Sequence, residues 1–156
     1  MYESISEKLP YKSSFRFVDE ITALDENGVT GNYTLKKDAF FYEDHFPDHP
    51  VTPGVIVTEI MAQIGLVVLG IFLLNKEEKN TLSINENIFP VFTSTQVEFL
   101  KMALPGEKVI VVSKKQYFRF NKLKCYIEMM NGQGDLIARG TFAGIIKKFD
   151  LNQIFL

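Results

Sequence analysis

His45, Gly54 and Glu59 are the residues whose types and spacing suit chemistry in this sequence. The only two histidines, His45 and His49, stand among Pro47, Pro50 and Pro53. Each proline ring fixes φ and removes an N–H, so this half of the segment reads as a stiff loop. Gly54 then opens an apolar stretch, running to Leu74, that carries one carboxylate, Glu59. An imidazole that titrates near neutrality and a carboxyl group form a workable acid–base pair. The first turn of a helix adds unpaired N–H donors and a partial positive charge. Gly54 at that position lets a ligand oxygen come close to the backbone. A base, an acid and an amide donor together suit removal of a proton α to a carbonyl, where charge collects on the oxygen.

Plainer readings of the same residues stand beside this one. A histidine before a helix serves equally as a hydrogen-bonded loop residue, and Glu59 as a buried acid with a structural partner. Two histidines beside Asp44 and Asp48 raise the question of a metal. The order D-H-x-x-D-H has no standard zinc spacing and no firm third ligand, so the expectation is no metal. Cys125 is the lone cysteine, which rules out an intrachain disulfide. Its alternating surroundings, LKCYIEMM, predict a buried, inert thiol on a strand.

Something must position these groups, and the pattern around them is mostly β. Ser4 and Glu7 suggest a capping box on a short helix over 3–9. Phe15–Ile21 alternates as a strand, and Val29–Leu35 reads as its hairpin partner across the turn Asp25-Glu-Asn-Gly28. The helix is expected from Val55 to Leu74 and ends in the polar run NKEEKN. Further strands are expected at Val91–Leu100, Lys108–Phe118, Leu123–Met130 and Leu136–Ile146. A helix with no polar face must be covered on nearly every side, so an antiparallel sheet curved around one helix is the economical α+β architecture. A second subunit would complete the cover.

At 156 residues the chain reads as one domain, 1–156, with enough length for a real core. Its 14 Phe and 6 Tyr suit a β-rich interior. A net charge of −2 supplies no global basic field for nucleic acid. The lysine pairs at 36–37, 114–115 and 147–148 read as solvated strand ends. The twenty residues from Val55 to Leu74 are long enough to span a bilayer. A carboxylate and the Gln63 amide at mid-depth, with no aromatic belt, argue for a buried soluble helix instead. The N-terminus carries two glutamates and no apolar core, unlike a signal peptide, and a reducing cytoplasm is the expected compartment.

The stretch His45-Phe-Pro-Asp-His-Pro-Val-Thr-Pro-Gly54-Val-Ile-Val-Thr-Glu59-Ile-Met-Ala-Gln63 resembles a known signature. It is that of the β-hydroxyacyl-acyl carrier protein dehydratases, H-F-P-G-x-P-x-x-P-G-V-x-x-x-E-x-x-A-Q, including the fourteen-residue interval from His to Glu. Leu9-Pro-Tyr-Lys with Phe15 and Val18-Asp19 is similar to the family's opening L-P-H-R-x-P-F-x-x-V-D. Phe99 to Glu107 resembles F-K-R-P-V-x-P-G-D.

The resemblance implies the hot-dog fold, a long helix wrapped by antiparallel strands, and active sites shared across a dimer interface. His45 would take the C2 proton of a 3-hydroxyacyl thioester, Glu59 or a water it holds would protonate the leaving hydroxyl, and the Gly54 N–H would steady the thioester oxygen. No metal or organic cofactor would be needed, the product would be the trans-2-enoyl thioester, the partner an acyl carrier protein, and the assembly a homodimer or a trimer of dimers. Lysines or Arg119 and Arg139 would dock the acidic carrier. Phe89 and Phe92 are candidates to line an acyl tunnel, with core packing as the alternative. Asp48 stands where the family usually has glycine, Tyr11 and Ser14 replace a histidine and a proline, and Thr93-Ser-Thr95 and Met102 also depart. A hot-dog thioesterase or enoyl hydratase acting on coenzyme A thioesters, and a non-catalytic acyl-binding subunit, are the competing functions.

Overall fold

The computed structural model of the chain describes residues 2–79 and 88–148. The apolar stretch after Gly54 does form a helix, and it lies inside the sheet. It runs as α2 (Gly54–Ala62), a π-helical segment (Gln63–Val68) and α3 (Leu69–Glu77). Every residue from Ile60 to Ile71 is buried, so the helix presents no solvent face along its middle. Each buried Ile or Leu there removes enough apolar area to stabilise the fold by about 1.5–3 kcal/mol. This is the one described helix long and apolar enough to cross a membrane. Strands cover it instead.

Six strands form the wrap: β1 (Glu20–Leu24), β2 (Gly28–Thr34), β3 (Ile88–Phe99), β4 (Lys108–Arg119), β5 (Lys122–Met130) and β6 (Leu136–Lys148). They pair antiparallel in the order β1-β2-β4-β5-β6-β3. The inward residues of β5, Leu123, Cys125, Ile127 and Met129, are completely buried and meet the helix. Gly65 allows that approach, because a Cβ there would sit 2.5 Å from Cδ1 of Ile127. In the π segment the Gly65 carbonyl accepts a 2.7 Å hydrogen bond from the buried Ser113 hydroxyl on β4. Burial pushes the Cys125 thiol up to about 11, against smaller opposing effects of Ser113 and Lys115. The thiol is therefore protonated and unreactive.

Three expectations about elements change. The strand placed at Phe15–Ile21 begins only at Glu20, after a short 3-10 turn, Ser13–Phe15. Its backbone has another partner: Gln63 accepts from the Phe17 N–H at 2.8 Å and donates to the Phe15 carbonyl at 2.9 Å. The N-terminal helix α1 spans only Glu3–Ser6, with Tyr2 and not Ser4 at its N-cap, so the capping box does not form. The central helix starts at Gly54 and continues three residues past Leu74.

Candidate active site

The loop from Asp44 to Pro53 fixes His45 before any helix begins. The Phe46 N–H donates to the His49 carbonyl (3.1 Å) and the His49 N–H to the Phe46 carbonyl (3.0 Å), with the His45–Phe46 peptide cis. Asp48 sits at φ +62°, in the left-handed region that aspartate tolerates better than most side chains. That backbone explains the glycine of the related motif: Asp48 keeps the turn at some conformational cost. Asp48 lines a cleft with Lys37, Phe40 and Pro50, separate from the one His45 lines.

One ring nitrogen of His45 is committed. Nδ1 lies 2.8 Å from the Val51 carbonyl oxygen. A carbonyl only accepts, so Nδ1 carries the proton and the neutral ring keeps its lone pair on Nε2. The Val51 N–H returns a bond to the His45 carbonyl at 2.9 Å, and the Thr52 N–H is held by the Ala103 carbonyl at 2.9 Å. Phe46 stacks on the imidazole with centroids 4.1 Å apart. The result is a preoriented base on a fixed loop.

Gly54 is the first residue of α2, directly after Pro53, and no side chain caps this end. The Pro53 carbonyl takes the N–H groups of Ile56 and Val57. Among the described residues the Gly54 N–H meets no backbone carbonyl outside the helix. Gly54 and His45 line the same cleft, whose rim carries the exposed apolar residues Phe99, Leu100 and Met102. An amide donor and a base therefore share one pocket.

Glu59 lies elsewhere in the chain's surface. It lines a second, small cleft, with Tyr11, Leu66, Val67, Phe92 and Ile146 among its walls. The structure thus joins His45 to Gly54 but does not join His45 to Glu59 within one copy. Phe92 lines the Glu59 cleft and tilts toward buried Phe142, 6.3 Å away between centroids. Phe89 is not among the residues lining the cleft; it stands opposite Lys147 on the β3–β6 pair. A β-bulge between Phe92 and Ser94, within the Thr93-Ser-Thr95 departure, re-aims the strand beside this cleft.

Burial raises the Glu59 carboxyl above its ordinary value, partly offset by a hydrogen bond from Gln63. That bond, Gln63 Nε2 to Glu59 Oε1, is 2.9 Å long. Completely buried Gln63 has its orientation fixed, since its oxygen accepts from the Phe17 N–H. Its nitrogen must then face both the Phe15 carbonyl and Glu59. Gln63 was legible only as part of the helix motif; its role as a clamp depends on a segment 46 residues away in sequence. A carboxyl biased toward its protonated form, with one oxygen held, is suited to act as an acid. Among the described residues no three His, Cys, Asp or Glu side chains converge as a metal-ligand set.

Comparison with known proteins bears on the same region. The FabA-like domain family matches residues 9–138. A 3-hydroxyacyl-[acyl-carrier-protein] dehydratase FabZ of Caldicellulosiruptor saccharolyticus is 32% identical, over 94% of this chain and 100% of the relative. The corresponding FabZ of Acinetobacter baylyi is 30% identical over 76% of this chain and 80% of its own length. Among solved structures, the dehydratase heterocomplex ApeI:P from Xenorhabdus doucetiae superposes with a TM-score of 0.76 at 15% identity. That match covers 97% of this chain and 95% of the other. A thioesterase superfamily member from Thermus thermophilus gives a TM-score of 0.55 at 21% identity, covering 81% and 86% of the two chains. Both structures share the sheet-wrapped helix.

Proposed function

The chain belongs to the FabA-like family of β-hydroxyacyl-acyl carrier protein dehydratases and has the hot-dog fold, and from that premise we propose that it removes water from 3-hydroxyacyl thioesters delivered by an acyl carrier protein. The product is the trans-2-enoyl thioester of fatty acid or related acyl-chain synthesis. His45 Nε2 takes the C2 proton while the Gly54 N–H receives the thioester oxygen as negative charge builds there. Glu59 of the partner subunit gives its proton to the departing 3-hydroxyl. No metal or cofactor takes part in these steps.

The observation that carries this reading is the complementary division of the chain. A tautomer-fixed base shares its cleft with a helix N-terminus, and an acid whose carboxyl burial raises above its ordinary value lies in another, mostly apolar cleft. Two copies paired head to head bring each half to the other. The free edge of the sheet supports such pairing. β3 is twelve residues long, largely exposed, and carries only one charge, Glu98. Among the described residues β3 is the outer strand of the sheet, and an outer strand of this kind is a template for pairing with another chain. The protein then works as a homodimer, or as such dimers grouped further, in the cytoplasm.

Docking of the acidic carrier falls to basic side chains that remain available. Arg139 is already paired with Glu98 at 3.0 Å, whereas Arg119 lies over the Tyr117 ring at the tip of the β4–β5 hairpin. The test is turnover of a panel of 3-hydroxyacyl carrier-protein substrates, read by mass spectrometry. Enoyl product from the natural protein, and its loss by a factor of about 10² or more in folded His45→Ala and Glu59→Gln variants, is expected. Full activity in both variants, or release of free acid in place of enoyl thioester, contradicts the reading.

A further inference from the structure

Among the described residues that line the Glu59 cleft, two carry polar side chains: Glu59 itself and Tyr11. Its remaining walls, among them Leu66, Val67, Phe92 and Ile146, are hydrocarbon. Gln63 occupies Oε1 of Glu59, which leaves Oε2 with no partner among the described residues. The Tyr11 hydroxyl likewise has no hydrogen-bond partner among them. Its ring is fixed against Phe15, with centroids 6.3 Å apart. Neither oxygen is a buried orphan; both belong to residues lining one largely apolar cleft, where a small hydroxyl-bearing ligand can take up both open positions at once.

Resting on the dehydratase reading above, the geometry points to Tyr11 as a further catalytic residue: its phenol donates a hydrogen bond to the 3-hydroxyl oxygen of the substrate while protonated Glu59 donates to the same atom. Burial, and then the neighbouring Glu59, raise the phenol above its ordinary value, so it stays a donor throughout the working pH range. As the C3–O bond breaks, its electron pair goes to oxygen. The proton that completes the water molecule comes from Glu59, and the C2–H pair becomes the C2=C3 bond. The C2 proton goes to His45 of the other subunit. Tyr11 keeps its own proton throughout and stabilises the departing oxygen and then the released water. Two donors on one leaving oxygen match the way paired neutral donors stabilise developing charge in an apolar site.

Tyr11→Phe removes the hydroxyl and keeps the ring, so folding should be unaffected. The expected result is a fall in kcat on the order of 10²-fold with little change in KM, because the bond strengthens as charge develops. A second measurement needs no turnover. In the inactive His45→Ala protein, a 3-hydroxyacyl pantetheine should bind about tenfold tighter than its 3-deoxy analogue. Adding Tyr11→Phe should largely erase that preference. Unchanged kcat in Tyr11→Phe, or an unchanged preference for the 3-hydroxyl compound, overturns the assignment. If the natural protein forms no enoyl product, the dehydratase reading fails, while the binding preference still decides the role of Tyr11.

Discussion

At the residue scale, the account depends on how two titratable groups are held. His45 is oriented by one carbonyl, and Glu59 is made acidic in function by burial against the pull of Gln63. A general acid must carry its proton, so activity should fall as pH rises through the Glu59 value. Gln63→Leu removes the one hydrogen bond that favours the carboxylate, and should move that alkaline limb to higher pH. It also strands the Phe17 N–H and the Phe15 carbonyl, which costs about 1–3 kcal/mol. A pH–rate profile and a denaturant titration of this variant check both effects. The linkage sign is set by the raised folded value. Stability contributed by protonated Glu59 is complete below its unfolded value and is lost as pH rises through its folded one. The melting difference between Glu59→Gln and the natural protein should therefore shift in favour of the variant from acidic to alkaline pH.

The same residues show what sequence reasoning reaches. His45, Gly54 and Glu59 were legible because prolines, a glycine and one acid in an apolar run are local signals. The sequence grouped all three in one candidate site; within one copy His45 and Gly54 line one cleft and Glu59 another. The Gln63 clamp was not legible, since its partners at Phe15 and Phe17 are brought to it only by the tertiary fold. Tyr11 registered only as a departure from the family's histidine. Its meaning comes from the cleft it enters.

At the scale of elements, four strands and the central helix were placed closely because their periodicities are strong. The first strand was misplaced because the Phe15 carbonyl and Phe17 N–H pair with the Gln63 side chain, so the ladder starts only at Glu20. The π-helical turn left no sequence signal at all. Pairing of β3 with β6 depends on backbone contact at Gly140, where a Cβ would lie 2.1 Å from the Gln96 carbonyl oxygen and 2.9 Å from the Val97 Cα. These are backbone atoms and cannot swing aside. Gly140→Ala should lower stability by about 1–3 kcal/mol in denaturant unfolding. Gly132→Ala, with nothing within 4 Å of its added carbon, should stay within about 0.5 kcal/mol of the natural protein. Equal effects of the two would contradict this view of the β3–β6 seam.

At the scale of the whole molecule, the proposed function makes a single copy chemically half complete, since His45 and Glu59 line separate clefts. The helix core is fully wrapped, yet the β3 edge and the rim of Phe99, Leu100 and Met102 remain open beside the His45 cleft. Exposed apolar surface next to the candidate site fits the proposed pairing with a second copy. The expectation of a second subunit arose in sequence from a helix with no polar face. In the structure the strands and the N-terminal segment, with Ile5, Leu9, Phe17 and Val18 in the same core, cover the helix, so the case for a partner rests on the edge and the divided site.

The central claim is that the base of one copy works with the acid of another. It is tested most directly by co-expressing His45→Ala and Glu59→Gln chains under two different affinity tags and purifying on both, so that only mixed dimers remain. Each mixed dimer then holds one site with both groups intact, and about half the natural dehydratase activity should return although each variant alone is inactive. Mixed dimers as inactive as either parent would show that the two groups do not meet across subunits.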